Sequence, residues 1–285
     1  MAKPEETKKP VIAFQGVLGA YSHLATSELF DDFDPLPSSS FDKALEALAG
    51  GAADLAVIPI ENSTFGRVAD IHLLLPKSGL FIIRESFLAI RHMLLAPKGA
   101  SLESLKKVMS HPQALGQCRE TLKKLGLEAE AHADTAGAAL DVSKLNDPTI
   151  GALASSLAGK TYGLDTLQAD MQDLNNNTTR FVVLSRSPGN VDDMKGKLIT
   201  SLSFEVKHAP AALYKALGGF ATNGINMIKL ESYYDSDSFH AYAFYAEIEG
   251  HAMDPAVARA LEELSFHSRH VRIHGTFELA RTRGR

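Results

Sequence analysis

The sequence is poor in the features that mark disulfide-stabilised, membrane-spanning or nucleic-acid-binding proteins. Its 285 residues include one cysteine, Cys118, which excludes intramolecular disulfides and metal sites built from several cysteines. Its apolar runs have the length of a strand, whereas a transmembrane helix needs roughly 20 apolar residues. The formal net charge is −5 without any block of like charge, which argues against nucleic acid or a membrane as a partner. We therefore predict a cytoplasmic protein.

Length and composition indicate two folded domains. At about 150 residues per domain, the chain is long enough for two. With 45% hydrophobic and 22% charged residues, it can fill a core and still present a mixed polar surface. The segment 1–10 is rich in Lys and Glu and lacks the apolar stretch of a signal peptide, so we expect a disordered leader there.

Residues 11–186 alternate short β-rich runs with amphipathic helical patterns, which is typical of α/β proteins with largely parallel sheets. Leu115, Cys118, Leu122 and Leu125 are spaced by three and four residues and predict one buried stripe of a crossover helix. The predicted strands are Val11–Phe14, Leu55–Ile60, Lys107–Ser110, Thr149–Ala154 and Phe181–Ser185.

A second domain is expected after the linker Arg186–Gly196, which is rich in Pro, Gly, Asn and Asp. Its pattern predicts a ferredoxin-like βαββαβ unit, with one sheet face that a second copy of the chain could cover. The predicted elements are strand Leu198–Val206, helix Ala211–Asn223, strands Met227–Tyr233 and Phe239–Ile248, helix Pro255–Ser265 and strand His270–Thr276.

A glycine-containing turn, residues 16–23, follows the first strand and leads into a helix. Backbone N–H groups at a helix N-terminus favour an anion, and Gly16 and Gly19 would let a ligand approach closely. The spacing is that of neither a dinucleotide fingerprint nor a P-loop. Ligand contact and a tight turn capped by Ser22 remain alternatives.

Polar residues follow the second predicted strand at Glu61, Asn62, Ser63 and Thr64. Because ligands of open α/β sheets bind at the carboxyl ends of the strands, we expect these side chains to contact a ligand. The alternative is a capped turn before the next helix.

Ser110, His111 and Gln117 accompany the third strand and its following helix. Ser110 and Gln117 can supply neutral hydrogen bonds. His111 could be a general base, but an isolated histidine is more often structural. Cys118 shares its stripe with leucines and is expected to fill the core.

The segment 175–181 places three asparagines, Thr178, Thr179 and Arg180 before a strand. Arg180 offers a two-pronged donor for a carboxylate, and Thr179 offers a hydroxyl. Composition alone does not separate a site from a strand entrance with an exposed arginine. His267, His270 and His274 could suggest a metal site, but His270, Arg272 and His274 alternate on one strand face and are interpreted as an exposed rim.

Together and in this order, the four segments resemble those of the prephenate dehydratase family: Gly-x-x-Gly-x-Tyr-Ser, Pro-Ile-Glu-Asn, Ser-His-Pro-Gln and Asn-x-Thr-Arg-Phe. The resemblance covers nearly the whole chain. It implies an α/β catalytic domain over 11–190 with a two-lobed, type II periplasmic-binding-protein-like fold. Lobe one would comprise about 11–80 plus 178–190, and lobe two about 81–177. A ferredoxin-like ACT regulatory domain would follow over 197–280.

The resemblance also implies an activity: conversion of prephenate to phenylpyruvate, with loss of carbon dioxide and water, in phenylalanine biosynthesis. Such an enzyme needs no metal or redox cofactor. Arogenate dehydratase is a close alternative, and a non-catalytic amino-acid sensor is an alternative from another class.

Matching motifs assign Thr179 as the proton donor to the departing hydroxyl, and Arg180 as the partner of a substrate carboxylate or a lock on the loop. Glu61 is expected to organise the site through Arg180, since a free carboxylate would repel a dianionic substrate. The expected substrate-binding residues are Asn62, Ser110, Gln117, Tyr21, Ser22 and Asn177.

The regulatory half departs from the family pattern, because Ala211 and Tyr233 stand where a glycine and an arginine are usual. Two alternatives follow: L-phenylalanine controls the enzyme, or the ACT domain mainly joins subunits into a homodimer or homotetramer. The expected phenylalanine-binding residues are Ala212, Leu213, Asn223, Asn226, Glu231 and Ser232.

Overall fold

A computed structural model of the chain describes residues 9–207, 209–233 and 243–280. Residues 1–8, where most of the expected leader falls, lie outside the described residues. Among the helices described, none combines the length and the apolar composition that crossing a bilayer requires.

The N-terminal elements are, in chain order, β1 (Val11–Gln15), α1 (Tyr21–Leu29), β2 (Asp34–Ser38), α2 (Phe41–Ala49), β3 (Leu55–Asn62), β4 (Gly66–Arg67), α3 (Ala69–Ser78), β5 (Phe81–Ala89), β6 (Met93–Ala96), β7 (Lys107–Ser110), α4 (Pro112–Gln117), α5 (Arg119–Leu125), β8 (Glu128–Ala131), α6 (Thr135–Leu145), β9 (Ile150–Ala154), α7 (Ser156–Tyr162), β10 (Asp165–Gln168) and β11 (Thr178–Ser185). A 3₁₀ turn at Val191–Asp193 interrupts the linker. The C-terminal elements are β12 (Leu198–Val206), α8 (Ala212–Thr222), β13 (Met227–Tyr233), β14 (Ala243–Glu249), α9 (Pro255–His267) and β15 (Ser268–Glu278).

The described residues form two compact units, one of 9–67 with 87–181 and the other of 68–86 with 182–280. The second unit therefore contains more than the C-terminal elements. It also includes α3 and most of β5, which precede the linker by about a hundred positions in the chain.

The first sheet has the strand order β2-β1-β3-β11-β5, with β4 paired to β3. Strand β1 runs parallel to β2 and β3, and helices α1 and α2 pack against β1 and β3. Because these central strands are covered by helices, they are apolar at successive positions, and Phe14, Val57 and Ile58 are fully buried. The edge strand β2 contains Pro35 and Pro37, which an edge tolerates.

The second sheet has the order β10-β6-β9-β7-β8, in which β7 is parallel to β8 and β9. Cys118 is fully buried in the apolar cluster beside this sheet, together with Leu122 and Val108. Burial raises the pKa of its thiol to about 12. The prediction that Cys118 fills the core is confirmed.

The chain passes from the first sheet to the second between β5 and β6, through residues 90–92, and returns between β10 and β11. The resemblance implies a first passage near residue 80, whereas β5 continues the first sheet as far as Ala89. Strand β5 was not predicted because Arg84 and Glu85 interrupt its apolar residues. The two connecting segments are joined by hydrogen bonds from Ile90 N to Asn177 O at 2.9 Å and from Met171 N to His92 O at 2.9 Å.

The third sheet is antiparallel and has the order β13-β14-β12-β15. Helices α8 and α9 cover one of its faces over a core that includes Phe204, Phe220, Phe244 and Leu264. The predicted βαββαβ order is confirmed, as is the mixed α/β class of the two preceding sheets. Part of the predicted strand Phe239–Ile248 lies outside the described residues, and β14 is described from Ala243.

Within the second unit, α3 and β5 lie against β15 and the opposite face of the third sheet. The ring of His72 on α3 meets that of Tyr245 edge to face at 4.9 Å. Arg272 donates to the carbonyls of Pro76 and Leu80 at the end of α3. Gly275 has a φ of +148°, and a β-carbon there would overlap the Ile82 carbonyl oxygen. This face of the third sheet is therefore covered, at least in part, by α3 and β5 of the same chain and not by a second copy.

His274 corrects the interpretation of the last strand as an exposed rim. Its side chain is fully buried and stacks on Tyr245, whereas His270 on the same strand is exposed. Burial lowers the pKa of His274 to about 3, with further lowering by Arg272 and His72. The sequence shows the alternation of the strand, but it does not reveal that α3 covers this face.

Candidate active site

The second and fourth motifs meet because β3 and β11 are neighbours in the first sheet. Ser63, just past β3, donates to Asn176 O at 2.6 Å and accepts from Thr178 N at 2.8 Å. Its own N–H donates to Thr178 O at 2.8 Å. These hydrogen bonds join segments that are 115 positions apart in the chain.

Asn62 is held in one orientation by its own turn. Its Oδ1 accepts from the backbone N–H groups of Thr64 at 2.9 Å and Phe65 at 3.0 Å. Since a backbone N–H can only donate, the atom that faces both must be the amide oxygen. The amide nitrogen of Asn62 then donates to Asn177 Oδ1 at 2.7 Å and to Thr179 Oγ1 at 2.9 Å.

From Asn177 the hydrogen bonds continue to Gln117 and His92, which lie next to strands of the second sheet. Asn177 Nδ2 donates to Gln117 Oε1 at 3.0 Å, and His92 Nε2 lies 2.8 Å from the same oxygen. His92 Nδ1 lies 2.7 Å from the Tyr21 hydroxyl, which is also 3.0 Å from Arg91 O. One network thus includes residues from all four segments that the sequence singles out.

The members of the network are amides, hydroxyls and one imidazole. Burial lowers the pKa of His92 against a smaller opposing effect of its hydrogen bond to Gln117. Burial raises the pKa of Tyr21 well above its usual value. Both shifts favour the neutral side chain at neutral pH, so the network adds no charge of its own.

Thr179, at one end of this network, has a hydroxyl group that accepts a hydrogen bond and can still donate one. Its side chain is buried, and its hydroxyl oxygen accepts from Asn62. Among the described residues no group accepts the hydroxyl proton of Thr179, so that proton is available to a ligand. A donor directed at Oγ1 also stabilises negative charge that develops when the proton leaves.

Arg180 and Glu61 form the charged pair of the site. Arg180 is almost fully buried, and its Nη1 lies 3.9 Å from Glu61 Oε2, on a side chain that is 36% exposed. Glu61 also stands opposite Arg67 in the short β3–β4 pairing. The pairing of Glu61 with Arg180 that we expect from the sequence is thus present, and Arg180 is not the exposed arginine of the alternative.

Neither of the two expected substrate-binding serines takes part in the network. Ser110 is fully buried and donates to Leu153 O at 2.6 Å. Ser22 is buried inside α1, where its carbonyl accepts from Thr26. His111 caps α4 by accepting from Gln113 N at 3.3 Å, which agrees with a structural role.

The glycine turn is fixed by packing and not by a serine cap. Helix α1 begins at Tyr21 after Ala20, which makes no capping hydrogen bond through its side chain, and Ser22 lies within the helix. Gly19 has a φ of +83°, and a β-carbon there would stand 2.7 Å from the Ala158 α-carbon. Ser155 donates to Gly19 O at 2.6 Å. The glycine is required where the turn meets α7.

His92 is the site residue that the sequence analysis missed. It follows β5 and directly precedes β6, and it belongs to none of the four motifs. The available signal was weak: a histidine between two apolar runs, at the start of a strand. Its function in the network depends on contacts with residues 25 and 71 positions away.

The expected phenylalanine-binding residues do not form one group within the chain. Ala212 and Leu213, at the start of α8, are partly buried and pack against the core of the unit. Glu231 lies on the other face of the sheet, with Oε1 3.1 Å from Lys229 Nζ and Oε2 3.9 Å from His72 Nε2. Asn223 is held by α9, since it accepts from Arg259 Nε at 3.0 Å and lies 3.3 Å from a Glu263 oxygen. The two other residues, Asn226 and Ser232, belong to the loop before β13 and to β13 itself.

Comparison with known proteins identifies the family of the chain. The family model for prephenate dehydratase matches residues 12–189. A bifunctional N-acyl-homoserine lactone acylase/prephenate dehydratase of Komagataeibacter europaeus is 43% identical over 94% of this chain and 95% of that relative. Arogenate dehydratase/prephenate dehydratase 2 of Arabidopsis thaliana, a chloroplastic protein, is 38% identical over 95% of this chain and 73% of its own length.

A solved structure shows that the similarity extends to the fold. The prephenate dehydratase of Arthrobacter aurescens, solved in complex with L-Phe, superposes with a TM-score of 0.84 at 29% identity. The match covers 95% of this chain and 90% of that one. With the family model matching most of the chain and relatives this similar over nearly all of it, the chain belongs to the prephenate dehydratase family.

Proposed function

We propose that this chain catalyses the decarboxylating dehydration of prephenate to phenylpyruvate. The observation that carries the proposal is the geometry of Thr179, whose oxygen accepts from Asn62 while its proton has no acceptor among the described residues. A site that must help a hydroxyl group to leave needs a proton donor of this kind.

In the proposed reaction, the bond between the ring and its carboxylate breaks and releases carbon dioxide. The electron pair enters the ring as the carbon–oxygen bond of the hydroxyl breaks, and the ring becomes aromatic. Thr179 gives its proton to the departing oxygen, so that water leaves. The Asn62 amide stabilises the oxygen of Thr179 while it is deprotonated, and a proton from solvent restores it.

Asn62 and its neighbour Asn177 are amides and cannot carry that proton by ionisation. Proton transfer therefore occurs directly between Thr179 and the substrate, without a relay through the amide side chains. This requires cleavage of the carbon–oxygen bond to be advanced when the proton moves, because a threonine hydroxyl is a weak acid.

The charges of the site suit a substrate with two carboxylates. Arg180 supplies a cation, and its ion pair with Glu61 reduces the repulsion that a lone carboxylate would exert. We assign Gln117 as a neutral group that binds the substrate, and Asn62, Asn177 and Tyr21 as neutral groups that hold the site in place. Ser22 and Ser110 would contribute by supporting the turn and strand beside it, since both are buried.

Arogenate remains the alternative substrate, because the Arabidopsis relative is named for both activities. Arogenate carries an amino group where prephenate has a keto group, and the reacting ring is the same. The Komagataeibacter relative is also named as an N-acyl-homoserine lactone acylase, and at 43% identity this makes acylase a second candidate activity. A sensor without catalysis would have no use for the proton of Thr179.

We further propose that the C-terminal βαββαβ unit is an ACT regulatory domain that binds L-phenylalanine between two copies of the chain. The Arthrobacter neighbour was solved with this amino acid, which supports the ligand. The separation of Leu213 and Glu231 on opposite faces of the sheet is compatible with a site completed by a second subunit. The even-numbered assembly that this requires can be measured by light scattering.

The deciding experiment is turnover of the purified chain with prephenate, arogenate and an N-acyl-homoserine lactone in parallel. Phenylpyruvate, phenylalanine and free fatty acid are measured separately, each with and without added L-phenylalanine. An enzyme-free blank corrects for spontaneous aromatisation. Turnover of prephenate or arogenate that Thr179→Ala abolishes supports the dehydratase, and no turnover of either by a folded chain refutes it.

A further inference from the structure

The orientation of every amide in the active-site network can be deduced from one fixed end. Asn62 Oδ1 must be an acceptor because two backbone N–H groups donate to it. Asn62 Nδ2 is then a donor, which makes the facing atom of Asn177 an oxygen. The other end of the Asn177 amide must therefore donate, and the atom of Gln117 that it faces must be Oε1.

The proton on His92 is fixed by the orientation of Gln117. Gln117 Oε1 can only accept, so His92 Nε2, at 2.8 Å, has to carry a hydrogen. In a neutral imidazole the remaining nitrogen, Nδ1, is then an acceptor for the Tyr21 hydroxyl at 2.7 Å. Tyr21 has Arg91 O at 3.0 Å as a second possible acceptor, so it does not depend on His92.

The His92 side chain is itself held rigidly by its surroundings. Its N–H donates to Gln172 Oε1 at 3.0 Å, and its carbonyl accepts from Met171 N at 2.9 Å. The side chain is almost completely buried, and its ring meets the Tyr21 ring edge to face at 5.6 Å. A backbone held on both sides and a buried ring leave the imidazole little freedom to turn.

Gln117 is the residue that this imidazole controls. Its oxygen accepts from both Asn177 and His92, and within the described ranges nothing accepts from its Nε2. The side chain is half-buried, in contrast to Asn177, His92 and Thr179, which are buried. With the oxygen held inward by two donors, the two hydrogens of Nε2 remain for a ligand.

We propose that His92 is a positioning residue that, as the Nε2–H tautomer, fixes Gln117 so that its amide nitrogen donates to an oxygen of the substrate. This rests on the proposed function, and it goes further by giving the site two separate devices. Asn62 prepares Thr179 for proton transfer, while His92 prepares Gln117 for binding. The groups that remain for the substrate at Thr179 and Gln117 are then both donors, which suits an anion with several oxygens.

The binding role of His92 and the proton-transfer role of Thr179 affect different kinetic constants. His92→Phe keeps a ring of similar size and removes the donor to Gln117, while Tyr21 retains Arg91 O. We expect KM to rise about tenfold, the equivalent of one hydrogen bond to the substrate, with kcat changed by less than about twofold. His92→Gln, whose amide can donate from the position of Nε2, should restore most of the lost affinity.

A double-mutant cycle tests whether His92 acts through Gln117. In a Gln117→Met background, His92→Phe should have almost no further effect on kcat/KM. The control is His132→Phe, at a partly buried histidine in the loop before α6, which should leave both kinetic constants unchanged. Additive losses from the two substitutions would overturn the proposal, as would a His92→Phe enzyme with unchanged KM.

A measurement on the resting protein separates this proposal from the proposed activity. Nitrogen-15 NMR of histidine-labelled wild-type protein, with the His92 signals identified by their loss in His92→Gln, should show hydrogen on Nε2 and none on Nδ1. Hydrogen on Nδ1 alone would overturn the proposal even in an active enzyme. If wild-type protein turns over none of its candidate substrates, the proposed function fails, and this spectrum still decides the orientation of His92.

Discussion

Asn62 Nδ2 donates to Thr179 Oγ1 at 2.9 Å, across the seam between two strands that lie 117 positions apart in the chain. This contact makes the threonine an acceptor within the protein and leaves its proton for the substrate. Thr179→Ala should therefore lower kcat by about 10²–10⁴-fold, since it removes a general acid. Thr179→Ser keeps the hydroxyl and should retain substantial activity. Steady-state kinetics with prephenate and arogenate checks both variants.

The melting temperature of Thr179→Ala is the control for this prediction. Thr179→Ala leaves one Asn62 hydrogen without its protein acceptor, a loss of about 1 kcal/mol, or roughly 2–4 °C in melting temperature. Loss of activity together with a fall far beyond this range would indicate misfolding. Full activity of Thr179→Ala would remove the threonine from the mechanism.

Glu61→Gln tests the charged pair. The substitution keeps the shape of the side chain and removes the anion that lies 3.9 Å from the buried Arg180. We expect kcat/KM to fall about tenfold or more, because Arg180 loses a charged neighbour that helps to hold it in place. Kinetics and a melting curve should be measured together.

A matched control for Glu61 exists in α2. Glu46→Gln removes the same charge from an ion pair with Lys43 at 2.6 Å, and both of those side chains are largely exposed. Such a pair contributes little, so activity and stability should stay as in the wild-type protein. Normal kinetics of Glu61→Gln with either substrate would contradict an organising role for Glu61.

The sequence predicts most of this fold where local pattern decides it. The bounds of β7, β12 and β13 agree with their apolar alternation. The strands that were not predicted include β2 and β8, whose sequences DPLPS and EAEA lack an apolar pattern and lie at sheet edges, where neighbours complete the pairing.

The site is predicted less completely, for a physical reason. The segments that the sequence singles out include Asn62, Gln117 and Thr179, but Asn62 and Thr179 meet only because β3 and β11 are neighbours in the first sheet. His92 and the burial of His274 depend on contacts between distant segments, and no local periodicity encodes them.

Ala211 offers a test of backbone strain in the C-terminal unit. It precedes α8 with a φ of +58°, in the left-handed region that disfavours residues with a β-carbon by about 1–2 kcal/mol. Ala211→Gly removes this backbone strain, but the glycine also gives the unfolded chain more conformational entropy. The net effect should be a rise of about 0.5–1 kcal/mol in the free energy of unfolding. Thermal unfolding would show a rise of roughly 1–4 °C.

Ala212→Gly is the matched control for Ala211. Ala212 is the first residue of α8, and a glycine there should lower stability by up to about 1 kcal/mol. A lower melting temperature for Ala211→Gly would contradict the left-handed conformation. Calorimetric titration of both variants with L-phenylalanine would also show whether the glycine of the family pattern changes binding.

His274 makes the stability of the protein depend on pH. Burial lowers its pKa to about 3, so the folded protein resists a proton that the unfolded chain accepts near pH 6.5. The contribution of neutral His274 is fully present above about pH 6.5 and is lost as the pH falls toward 3. The loss is about 1.4 kcal/mol per pH unit for this one group. His274→Phe should remove this part of the acid sensitivity.

Denaturant unfolding at pH 6.5, 5.5 and 4.5 (roughly one-unit steps inside the window set by the two pKa values) measures the effect as a difference between wild type and variant. The difference cancels the contributions of carboxylates that titrate in the same range. His270→Phe, at an exposed position of the same strand, is the matched control and should keep the wild-type slope. The groups facing His274 are Arg272, His72 and Tyr245, and all remain in the variant. Equal slopes for wild type and His274→Phe would mean that His274 takes up its proton in the folded protein, and that α3 does not seal this face of the sheet.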